Sequence, residues 1–165
     1  MTGAGTAAGR RAGGTRTTTR PAGGPAEESR PMTSMRALGR DRCLQLLASV
    51  PVGRVVFSMR ALPAIRPVNH LVDGNTVIIR SNLGGALAST ATQTGAVVVA
   101  YEADTFDLDD HTGWTVVVTG TARLILDADR QARYEQLLRP WVDEPMNCVI
   151  GIDCDLVTGY ELAPV

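Results

Sequence analysis

Apolar positions along the chain fall into short runs, and most of them alternate or cluster as β-strands do rather than recurring at helical spacing. Gly53–Met59, Ala64–Val72 and Thr76–Ser81 are three such runs, close together and rich in Val and Ile. The intervening Asp73-Gly74 predicts a tight hairpin between the second and third. Ala96–Glu102 reads as a fourth strand, with Val97-Val98-Val99 marking it as buried. Trp114–Leu126 reads as a long fifth strand, in which Gly120 suggests a bulge or a close approach of another backbone. Cys148–Asp153 and Gly159–Leu162 supply the last strands.

Three segments read as helices. Gly39–Val50 carries Leu44, Leu47 and Ala48 at three- and four-residue spacing, with Asp41 in its first turn and Pro51 after it. Gly85–Thr92 is a short helix. Asp127 suits the N-cap of a helix running to about Leu138, closed by Pro140-Trp141. Strands therefore crowd together without regular strand-helix alternation, which excludes a doubly wound parallel sheet. About six antiparallel strands of this length can close into a small barrel, removing exposed edges. The fold expected is mainly β with a few peripheral helices.

Composition changes the picture at the N-terminus. Residues 1–34 hold Gly, Ala, Thr, Arg and Pro with almost no large apolar side chain, and are expected to be a disordered tail ahead of one domain over 35–165. Arg10-Arg11 has no hydrophobic stretch after it, so a twin-arginine export signal is not expected. Of 165 residues, 44% are hydrophobic, and no run reaches the roughly 18 needed for a membrane helix. A net charge of -1 gives no electrostatic case for nucleic acid. Three cysteines, Cys43, Cys148 and Cys154, fit reduced thiols in a cytoplasmic protein better than a disulfide framework. All 16 cationic side chains are Arg, so an anion must be held by guanidinium or backbone.

Few motifs survive inspection. Gly3-Ala4-Gly5-Thr6-Ala7-Ala8 matches a dinucleotide fingerprint in letters but follows no strand. Asp107, Asp109 and His111 alternate like calcium ligands, yet Thr112 and Val118 stand where a calcium loop needs Gly and Glu. Cys148 and Cys154 lack zinc spacing, and no metal site is expected. His70, in a strand beside Asn69, reads as a structural residue rather than a base, and no catalytic constellation can be assembled.

The stretch Arg80-Ser81-Asn82-Leu83-Gly84-Gly85-Ala86-Leu87 remains. It leaves a strand with a guanidinium, a hydroxyl, an amide and two glycines, and runs into a helix start. Arg66, on the preceding strand, falls near Arg80 if the hairpin is symmetric. Like charges directly opposed are unfavourable, so the two either face different ways or share an anion. Backbone N–H groups beside Arg80 and Ser81 would then complete a phosphate cradle. An ordinary strand-to-helix turn with two solvated Arg side chains accounts for the same residues.

Several blocks in order, Gly53–Ser58, Ala61–His70, Val77–Ser81, Val98–Asp104 and Thr112–Ala122, with Pro140-Trp141 and Val157–Gly159 after them, resemble the pyridoxamine 5'-phosphate oxidase-related family, especially its small actinobacterial members. The resemblance spans about residues 36–163. It implies a six-stranded antiparallel split barrel of Greek-key type, working as a homodimer with FMN at the interface. Arg66, Pro67, Val68 and Asn69 would lie along the isoalloxazine ring. Ile79, Arg80, Ser81 and Asn82 would run towards the phosphate, and Trp114 would come from the second subunit. The family often places a second phosphate cation where this chain has Gly85 or Ala86. Some members use a deazaflavin coenzyme, some haem and some no known cofactor. The activity implied is an FMN-dependent oxidoreductase acting on a small substrate. The alternatives are a barrel that stores or senses such a cofactor without turnover, and a degenerate barrel with none. Vitamin B6 oxidation is not carried over, because no second cationic cluster for a substrate phosphate is visible.

Overall fold

A computed structural model describes residues 32–82, 85–139, 141 and 146–165. Residues 1–31, most of the expected tail, lie outside the described residues, as do Leu83, Gly84 and Pro140. In chain order the elements are β1 (Thr33–Ala37), α1 (Arg40–Ser49), β2 (Val52–Met59), β3 (Leu62–Asp73), β4 (Thr76–Ser81), α2 (Ala86–Thr94), β5 (Val97–Asp107), β6 (Thr112–Leu124), α3 (Ala128–Leu137), β7 (Cys148–Asp153) and β8 (Leu156–Pro164).

The strands are antiparallel in the order β1-β8-β6-β5-β2-β3-β4-β7. A further pairing of β6 with β7, Ala122↔Ile152 to Leu124↔Ile150, closes six of them into a barrel. β8 and β1 continue the sheet beyond β6. Closure leaves no free edge on the barrel itself. β1 was not foreseen, and it takes Thr33 and Ser34 out of the segment assigned to the tail. Its five residues are polar or exposed, and their order comes from the ladder with β8.

The barrel is filled by alternate residues of each strand: Val55 and Phe57 of β2, Val77 and Ile79 of β4, Val99 and Tyr101 of β5, Val118 and Ala122 of β6, and Ile150 and Ile152 of β7. α3 covers the outside of β4 and β7, where Ile78 and Val149 pack on Ile125 and Tyr134. α1 covers β6 through Cys43 and Leu46 on Val116. Its inward stripe is Cys43, Leu46 and Leu47, with Leu44 half-buried and Ala48 exposed, one position away from the stripe expected. Val116 and Val118, on one face of β6, are both buried within this chain, while Val117 on the opposite face is half-buried.

Two glycines have clear work. The β3–β4 register pairs Asp73 with Thr76, so the loop is Gly74-Asn75 rather than Asp73-Gly74. Gly74 takes φ +60, the positive value favoured at the head of a two-residue hairpin loop. Gly120 lies where β6 passes the end of β7, and a Cβ there would sit 1.6 Å from the Asp153 carbonyl oxygen. The acidic stretch at Asp107 is a turn: its Oδ1 accepts the N–H groups of Asp109 at 2.9 Å and Asp110 at 3.0 Å. Those two amides hold the Asp107 carboxyl below the usual carboxylate range. All three cysteines are buried free thiols, pushed up by burial. No helix among the described residues is long and apolar enough to cross a membrane.

Candidate functional site

A cavity of about 400 Å³ opens between β2, β3, β4 and the start of α2. Val55 and Phe57 of β2, Val68 of β3 and Ile79 of β4 give it an apolar floor. Arg66, Arg80, Ser81 and Asn82 line it as well, and so do Pro67, Met146 and the first residues of α2. The cavity is therefore apolar at one end and hydrogen-bonding at the other.

Strand periodicity explains most of this. Ala64, Arg66, Val68 and His70 alternate along the inner face of β3. Arg66 and Arg80 are not cross-strand partners: Arg66 pairs with Val55 on β2, while the β3–β4 ladder begins at His70↔Ile79. The offset comes from the shifted turn and from β3 crossing over to β2. Both residues still reach the same cavity, Arg66 exposed and Arg80 with a side chain only 13% accessible.

Two buried polar atoms beside the cavity have no hydrogen-bond partner among the described residues, Arg80 Nε and Asn82 Oδ1. Buried polar groups are nearly always paired. The start of α2 adds a third unmet demand. Its N-cap is Gly85, in extended conformation, with no side chain capping the helix, so the first amides of the helix lack a capping acceptor. Of the two positions where the family often carries a second phosphate cation, Gly85 has little room: a Cβ there would sit 2.7 Å from Asn82 Oδ1 and 3.0 Å from Ser81 Oγ.

Seven of the nine residues expected at the site line this one cavity: Arg66, Pro67, Val68, Ile79, Arg80, Ser81 and Asn82. Asn69 faces an adjoining cavity of about 240 Å³ with Val52, Trp141 and Met146, and donates through Nδ2 to the Arg139 carbonyl at 2.7 Å. Trp114 lies elsewhere in this chain, half-buried against the Cys43, Leu46 and Val116 cluster beneath α1. Val55, Phe57 and Met146 line the cavity as well, none of them among the residues expected there. For Val55 and Phe57 the signal was present in the alternation of β2; for Met146 there was none. No carboxylate or imidazole lines the cavity among the described residues. His70 is buried and fully engaged, Nε2 at 2.8 Å from the Leu47 carbonyl oxygen and Nδ1 at 2.8 Å from the Tyr101 hydroxyl.

A closed six-stranded antiparallel barrel with this lateral cavity defines a split-barrel protein. The chain belongs to the pyridoxamine 5'-phosphate oxidase family, whose pattern it matches over residues 39–160. An uncharacterized protein of Mycobacterium tuberculosis is 52% identical over 128 residues, covering 76% of this chain and 84% of that protein. Among solved structures, one from Corynebacterium glutamicum is 29% identical with a TM-score of 0.66, covering 80% of this chain and all of the other. The FAD binding protein from Mycobacterium smegmatis is 26% identical with a TM-score of 0.58, covering 78% of this chain and 98% of the other.

Proposed function

We propose that this chain binds a flavin nucleotide, FMN in the first instance, and serves as a flavin-dependent oxidoreductase for a small substrate. The observation that carries the reading is the conjunction at one cavity of an apolar floor, two orphaned polar atoms and an uncapped helix start. A planar apolar ring suits Val55, Phe57, Val68 and Ile79, a phosphate suits Arg66, the Ser81 hydroxyl, the Asn82 Nδ2 and the first amides of α2, and the orphaned Asn82 Oδ1, an acceptor, suits a ligand hydroxyl. The relationship to an FAD binding protein of Mycobacterium smegmatis supports a flavin. The flavin supplies reversible hydride and electron transfer when bound. This chain contributes position, exclusion of water from the apolar floor and positive charge at the phosphate end, which agrees with a cavity lacking an ionisable acid or base among the described residues.

A deazaflavin coenzyme would use the same phosphate end. Haem is less well served, since His70 has both ring nitrogens occupied and His111 lies in the turn between β5 and β6. A phosphorylated vitamin B6 substrate is not favoured. The adjoining cavity has Arg80 as its only cation among the described residues. Its lining of Val52, Pro67, Trp141 and Met146 suits a neutral, largely apolar substrate.

We further propose a homodimer. Phe106 and Val98 of β5, and Tyr160 and Leu156 of β8, share the outer face of the sheet by register, and all four are exposed in the single chain. Val98 is 73% and Leu156 60% accessible, more than an isolated soluble barrel ordinarily leaves along one sheet face. Reconstitution with FMN tests the function: a flavin retained through gel filtration, and reduced by a nicotinamide or other donor, supports it. A protein that binds no flavin refutes it.

A further inference from the structure

Arg80 lines the cavity, but both ends of its guanidinium are held by backbone carbonyls outside β4. Alternation along β4 sets Ile79 and Ser81 towards the barrel and cavity, and Ile78 and Arg80 towards α3. Nη1 of Arg80 donates to the Leu138 carbonyl at 3.3 Å, and Nη2 donates to the Met146 carbonyl. Glu135 Oε1 of α3 lies 4.0 Å from Nη2. Leu138 is the C-cap of α3, and α3 has no basic residue in its own last turn. A helix C-terminus leaves carbonyls unpaired and carries partial negative charge, which a cation there offsets. Arg80 supplies that cation from a neighbouring strand.

We infer that Arg80 is a positioning residue, which caps α3 at Leu138 and ties Met146 into the wall of the cavity, rather than the cation that selects a phosphorylated flavin. The inference rests on the flavin reading for its consequence and on the hydrogen bonds alone for its mechanism. With both Nη atoms engaged on carbonyls, the buried Nε–H is the Arg80 nitrogen left without a partner among the described residues. Selection for phosphate then falls to Arg66 and the start of α2. Among the described residues Arg66 makes one side-chain hydrogen bond, from Nη1 to the carbonyl of its own neighbour Ile65 at 2.8 Å.

The test compares the full-length chain with Arg80→Ala, Arg80→Lys and Arg66→Ala. Two readouts are taken: FMN and riboflavin affinities at fixed salt, and amide hydrogen exchange over Gln136–Leu138. Arg80→Ala is expected to weaken FMN and riboflavin by the same factor, within about twofold, and to speed exchange at the end of α3 about tenfold or more. Arg80→Lys, which keeps a cation in reach of the Leu138 carbonyl, is expected to recover much of the protection, and it serves in place of Arg80→Ala should that variant not fold. Arg66→Ala is expected to leave exchange unchanged and to weaken FMN alone. A loss of FMN binding at least tenfold beyond the loss of riboflavin in Arg80→Ala overturns the inference, and so does unchanged exchange. If the parent chain binds neither flavin, the flavin reading fails, and exchange in the unliganded proteins still decides whether Arg80 caps α3.

Discussion

The hydroxyl of Tyr101 lies 2.8 Å from Nδ1 of His70, deep between β3 and β5, and the opposite ring nitrogen lies 2.8 Å from the Leu47 carbonyl oxygen. A carbonyl only accepts, so Nε2 carries the hydrogen and Nδ1 accepts from Tyr101. The ring is neutral and ties α1 to the barrel. Burial, the larger influence, holds His70 below its ordinary pKa, and the Leu47 carbonyl partly offsets it. Burial likewise pushes the Tyr101 hydroxyl up.

The folded protein therefore takes up this proton less readily than the unfolded chain. The stability His70 contributes is fully present above its unfolded pKa of about 6.5 and is lost progressively as pH falls from there through the lowered pKa of the folded state. Thermal melts from pH 7.5 to 5.5 should show Tm falling on acidification, with a slope of at most about 1.4 kcal/mol per pH unit from this one group. His70→Gln should be less stable at pH 7.5 and flatter across the range. A parent chain with flat stability over this window would contradict the assignment.

Tyr101→Phe keeps the ring and removes the donor to Nδ1. Leaving that buried acceptor unpaired should cost about 1–3 kcal/mol in urea unfolding at pH 7.5. A neutral result would mean that water replaces the hydroxyl.

Gly120→Ala should be among the most damaging small substitutions in the chain. The added methyl would meet the Asp153 carbonyl oxygen at 1.6 Å and its carbon at 2.8 Å, both backbone atoms at the β6–β7 closure. A loss of about 3 kcal/mol is expected. Equilibrium unfolding with a loss under about 1 kcal/mol would show that the closure is looser than described.

How much of this was legible beforehand depends on where the information lay. Seven of the eight strands were readable because apolar, mostly Val- and Ile-rich runs mark them locally; α1 was readable through the spacing of its Leu residues and α3 through its Asp127 cap. β1 was not, since Thr33–Ala37 gains its order only from pairing with β8. β5 was ended at Glu102, but it continues to Asp107 because Glu102, Asp104 and Phe106 lie on the outer face while Ala103 stays buried within. The hairpin loop lies one residue later than expected, and in the observed register Arg80 falls one step beyond the His70↔Ile79 pair, level with Asn69 rather than with Arg66. The direction of Arg80 was hidden for a further reason. Val77, Ile78 and Ile79 are all buried, so β4 shows no polar alternation from which to read its two faces, and α3 had to be in place first. The clustering of Arg66–Val68 with Ile79–Asn82 was anticipated through the family resemblance, whereas the orphaned atoms and the uncapped start of α2 are visible only in three dimensions.

The outer sheet face offers a direct check on assembly. Val98→Asp combined with Leu156→Asp places two charges on surface that a partner chain would cover, without touching the barrel interior. Sedimentation should show the parent as a dimer at micromolar concentration and the double variant as a folded monomer. A monomeric parent would remove both the dimer and an interface-bound cofactor.

Ala86→Arg supplies a guanidinium at the first residue of α2, on the lining of the cavity. A charge-assisted contact with a phosphate is worth about 1.5–3 kcal/mol, offset by about 0.3–1 kcal/mol for placing a cation at a helix start. FMN affinity should rise by about twofold to about a hundredfold, with little change for riboflavin. Equal gains for both ligands would place the phosphate elsewhere.

The most direct test of the central claim is the titration of the purified full-length chain with FMN and riboflavin, followed by flavin fluorescence at fixed ionic strength. The two ligands share a ring and differ in the phosphate, so they report separately on the apolar floor and on the end formed by Arg66, Ser81, Asn82 and α2. Saturable binding of both is expected, with FMN tighter by about tenfold or more. Equal affinities would contradict the phosphate end of the site, and no binding of either would contradict the flavin cavity itself.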